Sequence, residues 1–171
     1  MTLWSDAVAK SPESSLAHTN LGTEYAQQGR NEKAMEHLLK ALRYSDTKAK
    51  AHRANIHYNL GTTYQQIGRG DMAMREYRRV MKLQPSDFRP YYNLGVFYQQ
   101  GGEDDAALEA YRNALKRNPS DFRSYHNMGL IYQNRGETEV AARYYRKALS
   151  INPDYAKSRA NLEAIYGQKR R

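Results

Sequence analysis

Cysteine is absent from the 171 residues of this chain, which excludes disulfide bonds, thiolate zinc sites and cysteine nucleophiles. Long apolar runs are missing as well, since no stretch approaches the roughly 18 consecutive apolar residues that a membrane-spanning helix needs. The first dozen residues have neither the basic start nor the apolar segment of a signal peptide. We therefore expect this segment to be soluble and not inserted in a membrane.

The residues that usually carry catalysis or bind metals show no suitable pattern. The five histidines form no His-x-x-x-His or His-Glu-x-x-His pair, which argues against a metal site. The glycine-rich segments 68–70 and 101–102 lack the strand and the lysine of a phosphate loop. We expect no catalytic residues, no metal, no cofactor and no enzymatic activity.

The net charge of +9 is distributed unevenly along the chain. Residues 156–171 carry +4 of it and end in Lys169, Arg170 and Arg171. Proteins that bind nucleic acids concentrate positive charge on one working face, whereas a basic tail is typical of a solvated chain end. Nucleic acid is therefore not the expected partner.

A set of residues recurs at a fixed spacing, and such a repeat decides the fold. Three copies are 34 residues apart, and a fourth precedes them by 39. Each copy has Asn-Leu-Gly or Asn-Met-Gly, a tyrosine three residues after the glycine, a second glycine, and a later alanine followed by a large residue. The triplets begin at Asn20, Asn59, Asn93 and Asn127, the tyrosines are Tyr25, Tyr64, Tyr98 and Tyr132, and the large residues are Leu38, Tyr77, Tyr111 and Tyr145.

Each recurring residue type has a mechanical explanation. Apolar residues spaced by three and four predict two amphipathic helices per copy, and the second glycine predicts the turn between them. The first glycine lies inside a helix despite its low helix propensity, which makes sense where two helix axes approach closely. Prolines 85, 119 and 153 end the last three copies.

This frame resembles the tetratricopeptide repeat, and the resemblance extends from about Ser15 to Tyr155. It implies an all-α fold: an α-solenoid of antiparallel helix pairs that forms a right-handed superhelix with a concave groove. We expect a single solenoid over residues 1–171. Its parts are the second helix of a truncated repeat (1–14), repeat 1 with an insertion (15–53), repeats 2 to 4 (54–87, 88–121 and 122–155), and a capping helix with the basic tail (156–171).

The insertion is five residues long and lies between Tyr44 and Asn55. No proline interrupts it, and alanine and lysine are good helix formers. We therefore expect a lengthened first helix of repeat 2 that begins near Asp46 or Thr47.

One face of the first helices carries a regular set of polar and aromatic residues. When the repeats are numbered from Ser15, Ala54, Phe88 and Phe122, the sixth place is asparagine every time, and at about 100° per residue it lies opposite the hairpin stripe. The predicted groove residues are Asn20, Asn59, Asn93, Asn127 and Asn161 at the sixth place, Arg89, Arg123 and Lys157 at the second, Tyr58, Tyr92 and His126 at the fifth, and Gln66 and Gln100 at the thirteenth.

The chemistry of this set suits a peptide. Asparagine can donate to and accept from a peptide backbone, and arginine can hold a carboxylate through two N–H groups. The alternative is that the asparagines make structural contacts between turns. The column is similar to the asparagine ladder of the O-linked N-acetylglucosamine transferases. It fits the carboxylate clamp of heat-shock co-chaperones less well, because Thr19, Thr23 and Asn93 replace clamp residues.

The function that follows is a protein-interaction scaffold whose groove binds an extended or acidic peptide, a helix or a partner subunit. Two alternatives stay open. The chain can be the non-catalytic region of a larger enzyme, because residues 3–12 resemble the soluble tails of membrane-anchored mannosyltransferase-like proteins. It can also assemble with itself as a homo-oligomer through the N-terminal end. The compartment is cytoplasmic by default and extracytoplasmic for a membrane-anchored parent.

Overall fold

The structure is a computed structural model that describes residues 3–168, and the side chains through residue 167. This part of the chain contains ten α-helices and no strand. The basic tail at 169–171 lies outside the described residues. The helices are α1 (Leu3–Lys10), α2 (Ser15–Gln27), α3 (Asn31–Tyr44), α4 (Lys50–Gln66), α5 (Gly70–Leu83), α6 (Arg89–Gln100), α7 (Asp104–Arg117), α8 (Phe122–Asn134), α9 (Thr138–Ile151) and α10 (Ala156–Gln168).

The contacts divide the chain into two compact units, Met1–Pro90 and Tyr91–Arg171. In unit 1, α2 pairs with α3 and α4 with α5, while α1 packs on α2 and α3 packs on α4. A buried cluster of Leu38, Ala41, Ile56 and Leu60 joins α3 to α4. The interior of unit 1 is therefore made by residues of the repeat frame.

Unit 2 is built by the same rules. Helix α8 pairs with α9, α7 packs on α8, and α10 packs on α9. One buried cluster joins Ala107, Leu108 and Tyr111 to residues of α8, and a second places Ile165 of α10 against Tyr145 of α9. Helix α10 thus packs against the last helix pair through Ile165.

The turns inside the helix pairs require glycine. Gly29, Gly68, Gly102 and Gly136 have φ between 73° and 78°, a left-handed conformation that is strained for residues with a Cβ. In each case the residue after the glycine donates its backbone N–H to the carbonyl of the repeat tyrosine at 2.9 Å, which closes the first helix. The four turns are therefore one motif.

The insertion lengthens α4 but does not all become helix. Helix α4 has 17 residues, against 12 or 13 in α2, α6 and α8. It begins at Lys50 rather than near residue 46, because Asp46 forms a turn: its carboxylate accepts the Lys48 N–H at 2.8 Å and its carbonyl accepts the Ala49 N–H at 3.1 Å. The sequence analysis predicted the longer helix and placed its start too early.

Candidate interaction surface on the first helices

The predicted groove residues lie on the first helices of the pairs, which are α2 and α4 in unit 1, α8 and α10 in unit 2, and α6, whose first two residues belong to unit 1 and the rest to unit 2. Their asparagines are all partly buried rather than exposed. Gln66 and Gln100 are exposed in the last turn of α4 and α6, and Lys157 is exposed at the start of α10. The asparagines are thus held in the surface, whereas the glutamines and the lysine project from it.

In unit 1, Asn59 is bonded to the preceding helix pair. Its Nδ2 donates to Thr23 Oγ1 at 2.8 Å, and that hydroxyl donates to the carbonyl of Thr19 at 2.8 Å. Since α2 and α4 belong to successive repeats, this bond fixes the orientation of the Asn59 amide across a repeat boundary.

Unit 2 has a different and more regular arrangement. Asn127 Nδ2 donates to the Tyr111 hydroxyl at 3.1 Å, and that hydroxyl donates to Gln99 Oε1 at 2.7 Å. The next repeat copies it, because Asn161 donates to Tyr145 at 3.2 Å and Tyr145 donates to Gln133 at 2.6 Å. We call each of these chains of three side chains a relay.

The relay follows from the close approach of two helices. A Cβ at Gly129 would lie 2.6 Å from the Tyr145 ring, so the glycine lets the tyrosine pack against the helix backbone. Tyr145 is completely buried, and a buried hydroxyl needs hydrogen-bond partners. Burial also raises the pKa of Tyr145, so the hydroxyl keeps its proton and donates to Gln133 while it accepts from Asn161.

The two arginines of the predicted surface already have partners. In unit 1, Arg89 binds Asp87 through Nε and through Nη2, the latter at 2.7 Å, and its guanidinium lies 4.3 Å from the centre of the Tyr58 ring. In unit 2, Arg123 binds Asp121 only through Nε at 3.3 Å and lies 5.0 Å from the centre of Tyr92.

The aspartates in these pairs also serve the helix starts. Asp121 accepts the backbone N–H of Ser124 at 3.3 Å and its hydroxyl at 2.6 Å, which caps α8. The arginine therefore rests on a carboxylate that the helix already holds, and on the aromatic ring of the preceding repeat. Burial raises the pKa of Tyr92, and the positive charge of Arg123 partly opposes this.

His126 differs from the other predicted groove residues because it is buried. It is 4% exposed, its Nδ1 lies 2.9 Å from Ser158 Oγ, and its ring packs against Tyr145 and Tyr155. Burial, with repulsion from Lys157, lowers its pKa to about 4, so the ring is neutral at pH 7. The structure thus places His126 between α8, α9 and α10, as a packing residue rather than a surface residue.

The residues that orient the asparagines were missing from the predicted site. Gln65, Gln99 and Gln133 recur 34 residues apart, and each accepts from the tyrosine of its own pair. In repeat 1, where leucine replaces that tyrosine, the corresponding residue is Ala26. This joint loss of tyrosine and glutamine is a sequence signal that could have revealed the relay.

The described residues contain no group of three or more histidine, aspartate or glutamate side chains placed to hold a metal ion. Within the same part of the chain, no helix combines the length and the apolar character needed to cross a bilayer.

Three family models match successive parts of the chain. A TPR repeat model matches residues 98–136, and two tetratricopeptide repeat models match residues 122–155 and 2–84. No curated protein matches the chain.

Solved structures give the same fold. The crystal structure of MamA is 28% identical, with a TM-score of 0.72 over 90% of this chain and 87% of that one. A second crystal structure of the MamA protein is 28% identical, with a TM-score of 0.69 over 90% and 81%. The structure of Pseudomonas aeruginosa pilF has a TM-score of 0.79 over 93% and 70%, and at 24% identity it shows the fold alone. The all-α helical-repeat class predicted from the sequence is confirmed.

Proposed function

We propose that this chain, a tetratricopeptide repeat protein, binds an extended, acidic peptide of a partner on the face formed by the first helices of unit 2. Such proteins are generally non-catalytic scaffolds that bind protein partners. Asn127 and Asn161 bind the main chain of the peptide, and Arg123 binds an acidic side chain. The chain then needs no catalytic residue of its own.

The orientation of the Asn127 and Asn161 amides carries this proposal. Each uses one N–H to bond a buried tyrosine hydroxyl, and its Oδ1 stays available as an acceptor for a peptide N–H. A side chain that is already fixed loses little conformational entropy when a ligand binds, so its hydrogen bond contributes more to affinity. The structural bond and the proposed binding role are therefore compatible.

The arginines are not equivalent in this proposal. Arg89 uses both Nε and Nη2 in its bonds to Asp87, whereas Arg123 uses only Nε in the bond to Asp121 and keeps both terminal nitrogens for a ligand. The Arg123 side chain is also 48% exposed, against 36% for Arg89. We therefore assign the acidic side chain of the ligand to Arg123.

A selected peptide tests the proposal. A library of random peptides displayed on phage is selected against the whole chain, and the best peptide is synthesised and its Kd measured by fluorescence anisotropy. Asn127→Ala should weaken binding about ten-fold, since a lost hydrogen bond at a buried site typically costs about 1–3 kcal/mol. Arg123→Ala should weaken binding and reduce its dependence on salt.

Two control variants separate binding from stability. Tyr111→Phe removes the hydroxyl that holds Asn127 but keeps the amide itself, so it should weaken binding less than Asn127→Ala does. Arg143→Ala changes an exposed cation on α9, a second helix, and should leave the Kd unchanged. A library that yields no binder, or a peptide bound equally by the wild type and Asn127→Ala, would contradict the proposal.

A further inference from the structure

Unit 1 has an open cleft on a different face, between α3, α4 and α5. It has a volume of about 440 Å³ and is lined by Leu42, Arg53, His57, Arg79, Lys82 and Leu83. Three of these side chains are basic and none is acidic. The two leucines supply apolar walls beside the positive charge, so the cleft combines an anion-attracting region with an apolar one.

Two of the lining residues, His57 and Arg79, bond to a buried acid, Glu76, whose charge is therefore already paired. Glu76 is 8% exposed; its Oε2 accepts from His57 Nδ1 at 2.6 Å and its Oε1 accepts from Arg79 at 2.7 Å. Glu76 therefore offsets only one of the three cations at the cleft.

Within the part of the chain that the structure describes, the other two cations, Arg53 and Lys82, have no acidic partner. Arg53 donates to the Ser45 hydroxyl at 2.6 Å and to the Leu42 carbonyl at 3.4 Å, which are both uncharged. These bonds fix the guanidinium at the edge of the cleft. Lys82 is exposed on the last turn of α5. The cleft thus has an excess of positive charge, part of it held in place.

The corresponding region of unit 2 has a larger side chain and a different charge. Asp121 directly precedes repeat 4 as Arg53 directly precedes repeat 2, and Tyr125 of repeat 4 stands where repeat 2 has His57. The Tyr125 ring packs 6.5 Å from the Tyr144 ring, and the Lys147 ammonium lies 5.9 Å from its centre. The insertion and the smaller histidine ring therefore account for both the space and the charge of the unit 1 cleft.

We propose that this cleft binds a carboxylate carried on an apolar stem, as found at an acidic or carboxyl-terminal residue of a partner peptide. Arg53 and Lys82 hold the carboxylate, and Leu42 and Leu83 contact the stem. The site lies on the second helices and the start of α4, so it is independent of the surface proposed above. A partner could occupy either site without the other.

N-acetyl-leucine is a minimal probe of this site, because it has one carboxylate and one apolar side chain. The whole chain, labelled with ¹⁵N, is titrated with the probe and the shifts of backbone amides are followed by NMR. Saturable shifts should centre on residues 53, 57 and 82. N-acetyl-leucinamide, which lacks the charge, and inorganic phosphate, which lacks the stem, should each bind more weakly.

Two matched variants test the assignment. Lys82→Gln should weaken binding of N-acetyl-leucine about two- to five-fold, the range of an exposed ion pair. Lys116→Gln changes the lysine at the same repeat position of α7 and should have no effect. His57→Tyr should fill the cleft and abolish binding, with circular dichroism as the check that this variant folds.

Three outcomes would overturn the proposal. One is equal binding of N-acetyl-leucine and its amide, since charge would then play no part. Another is tighter binding of inorganic phosphate, which would indicate a site for a bare oxyanion. The third is an equal loss of affinity in Lys82→Gln and Lys116→Gln, which would indicate only the net charge of the protein.

Discussion

The first and the fourth helix pairs share a glycine at their close approach but place different residues at the two positions that accompany it. In the fourth pair, Tyr145 packs over Gly129 and donates to Gln133. In the first pair, Leu38 packs over Gly22, where a Cβ would lie 2.8 Å from Leu38 Cγ, and Ala26 replaces the glutamine. The Leu38 side chain needs no hydrogen-bond partner, whereas the buried Tyr145 hydroxyl has two, Gln133 and Asn161.

This difference explains where the asparagines bond. Asn161 follows the fourth pair and donates to Tyr145, whereas Asn59 follows the first pair and donates to Thr23. The asparagine is the same in both cases, and its partner depends on the large residue of the preceding pair. Whether a repeat has tyrosine or leucine at this position therefore determines the hydrogen-bond partner of the asparagine in the next repeat.

The largest expected effect comes from filling the close approach in each pair. Gly129→Leu forces a side chain into the Tyr145 ring, whereas Gly22→Leu meets the smaller side chain of Leu38; both neighbours are fully buried. Overpacking of this kind typically costs about 1–3 kcal/mol or more, and we expect the higher end at Gly129. Urea unfolding followed by circular dichroism measures both. Equal losses in the free energy of unfolding would indicate that it makes no difference whether the neighbouring side chain is a tyrosine or a leucine.

The next effect depends on pH, because His126 in the fourth pair is replaced by Thr19 in the first. Burial lowers the pKa of His126 from 6.5 to about 4, so between these pH values the unfolded chain binds a proton that the folded chain does not. The free energy of unfolding is therefore highest, as far as His126 is concerned, above about pH 6.5. It falls by roughly 2–3 kcal/mol as the pH falls towards 4.

The matched variant for this prediction is His126→Tyr. It introduces tyrosine, which repeats 2 and 3 have at the same position as Tyr58 and Tyr92. The pKa of His37 is also lowered, by burial and by His18, so the wild-type stability has a second slope with pH. The slope that remains in His126→Tyr should be smaller than that of the wild type between pH 7 and 5. Identical slopes in urea unfolding would contradict the assignment.

The smallest effect concerns the hydroxyl groups that receive the asparagines. Tyr145→Phe leaves the Asn161 amide and the Gln133 carbonyl without this partner, and should cost about 1–2 kcal/mol. Thr23→Val removes the corresponding hydroxyl from the first pair, where the site is less buried, and should cost less. Thermal melts rank the two variants. A larger loss for Thr23→Val would reverse the comparison.

Much of the fold could be predicted from the sequence because repeat contacts are local. The spacing of Asn-Leu-Gly, tyrosine and alanine predicts two helices and their close approach, and each glycine turn needs only its own neighbours. The start of α4 could not be found in this way, because Asp46 competes for the backbone through a turn that helix propensity does not describe.

The chemistry of the surface was less predictable, because it depends on side chains from neighbouring repeats. The position of Asn127 follows from the 34-residue period, but its bond to Tyr111 depends on how α7 meets α8. Residues at the fifth place of the repeat also differ in their contacts. Tyr58 and Tyr92 pack against arginines, whereas His126 is buried beneath α10. Residues at the same place of different repeats therefore need not have the same role.

The most direct test of the central claim is an NMR titration of the chain with the peptide selected from the library. The side-chain amide signals of asparagine report on the proposed surface, and the backbone amides of α7 and α9 report on the second helices. We expect the Asn127 and Asn161 amide signals to shift in proportion to bound peptide, while α9 around Arg143 stays unchanged. Shifts confined to the second helices, with the asparagine amides unmoved, would contradict binding on the first-helix face.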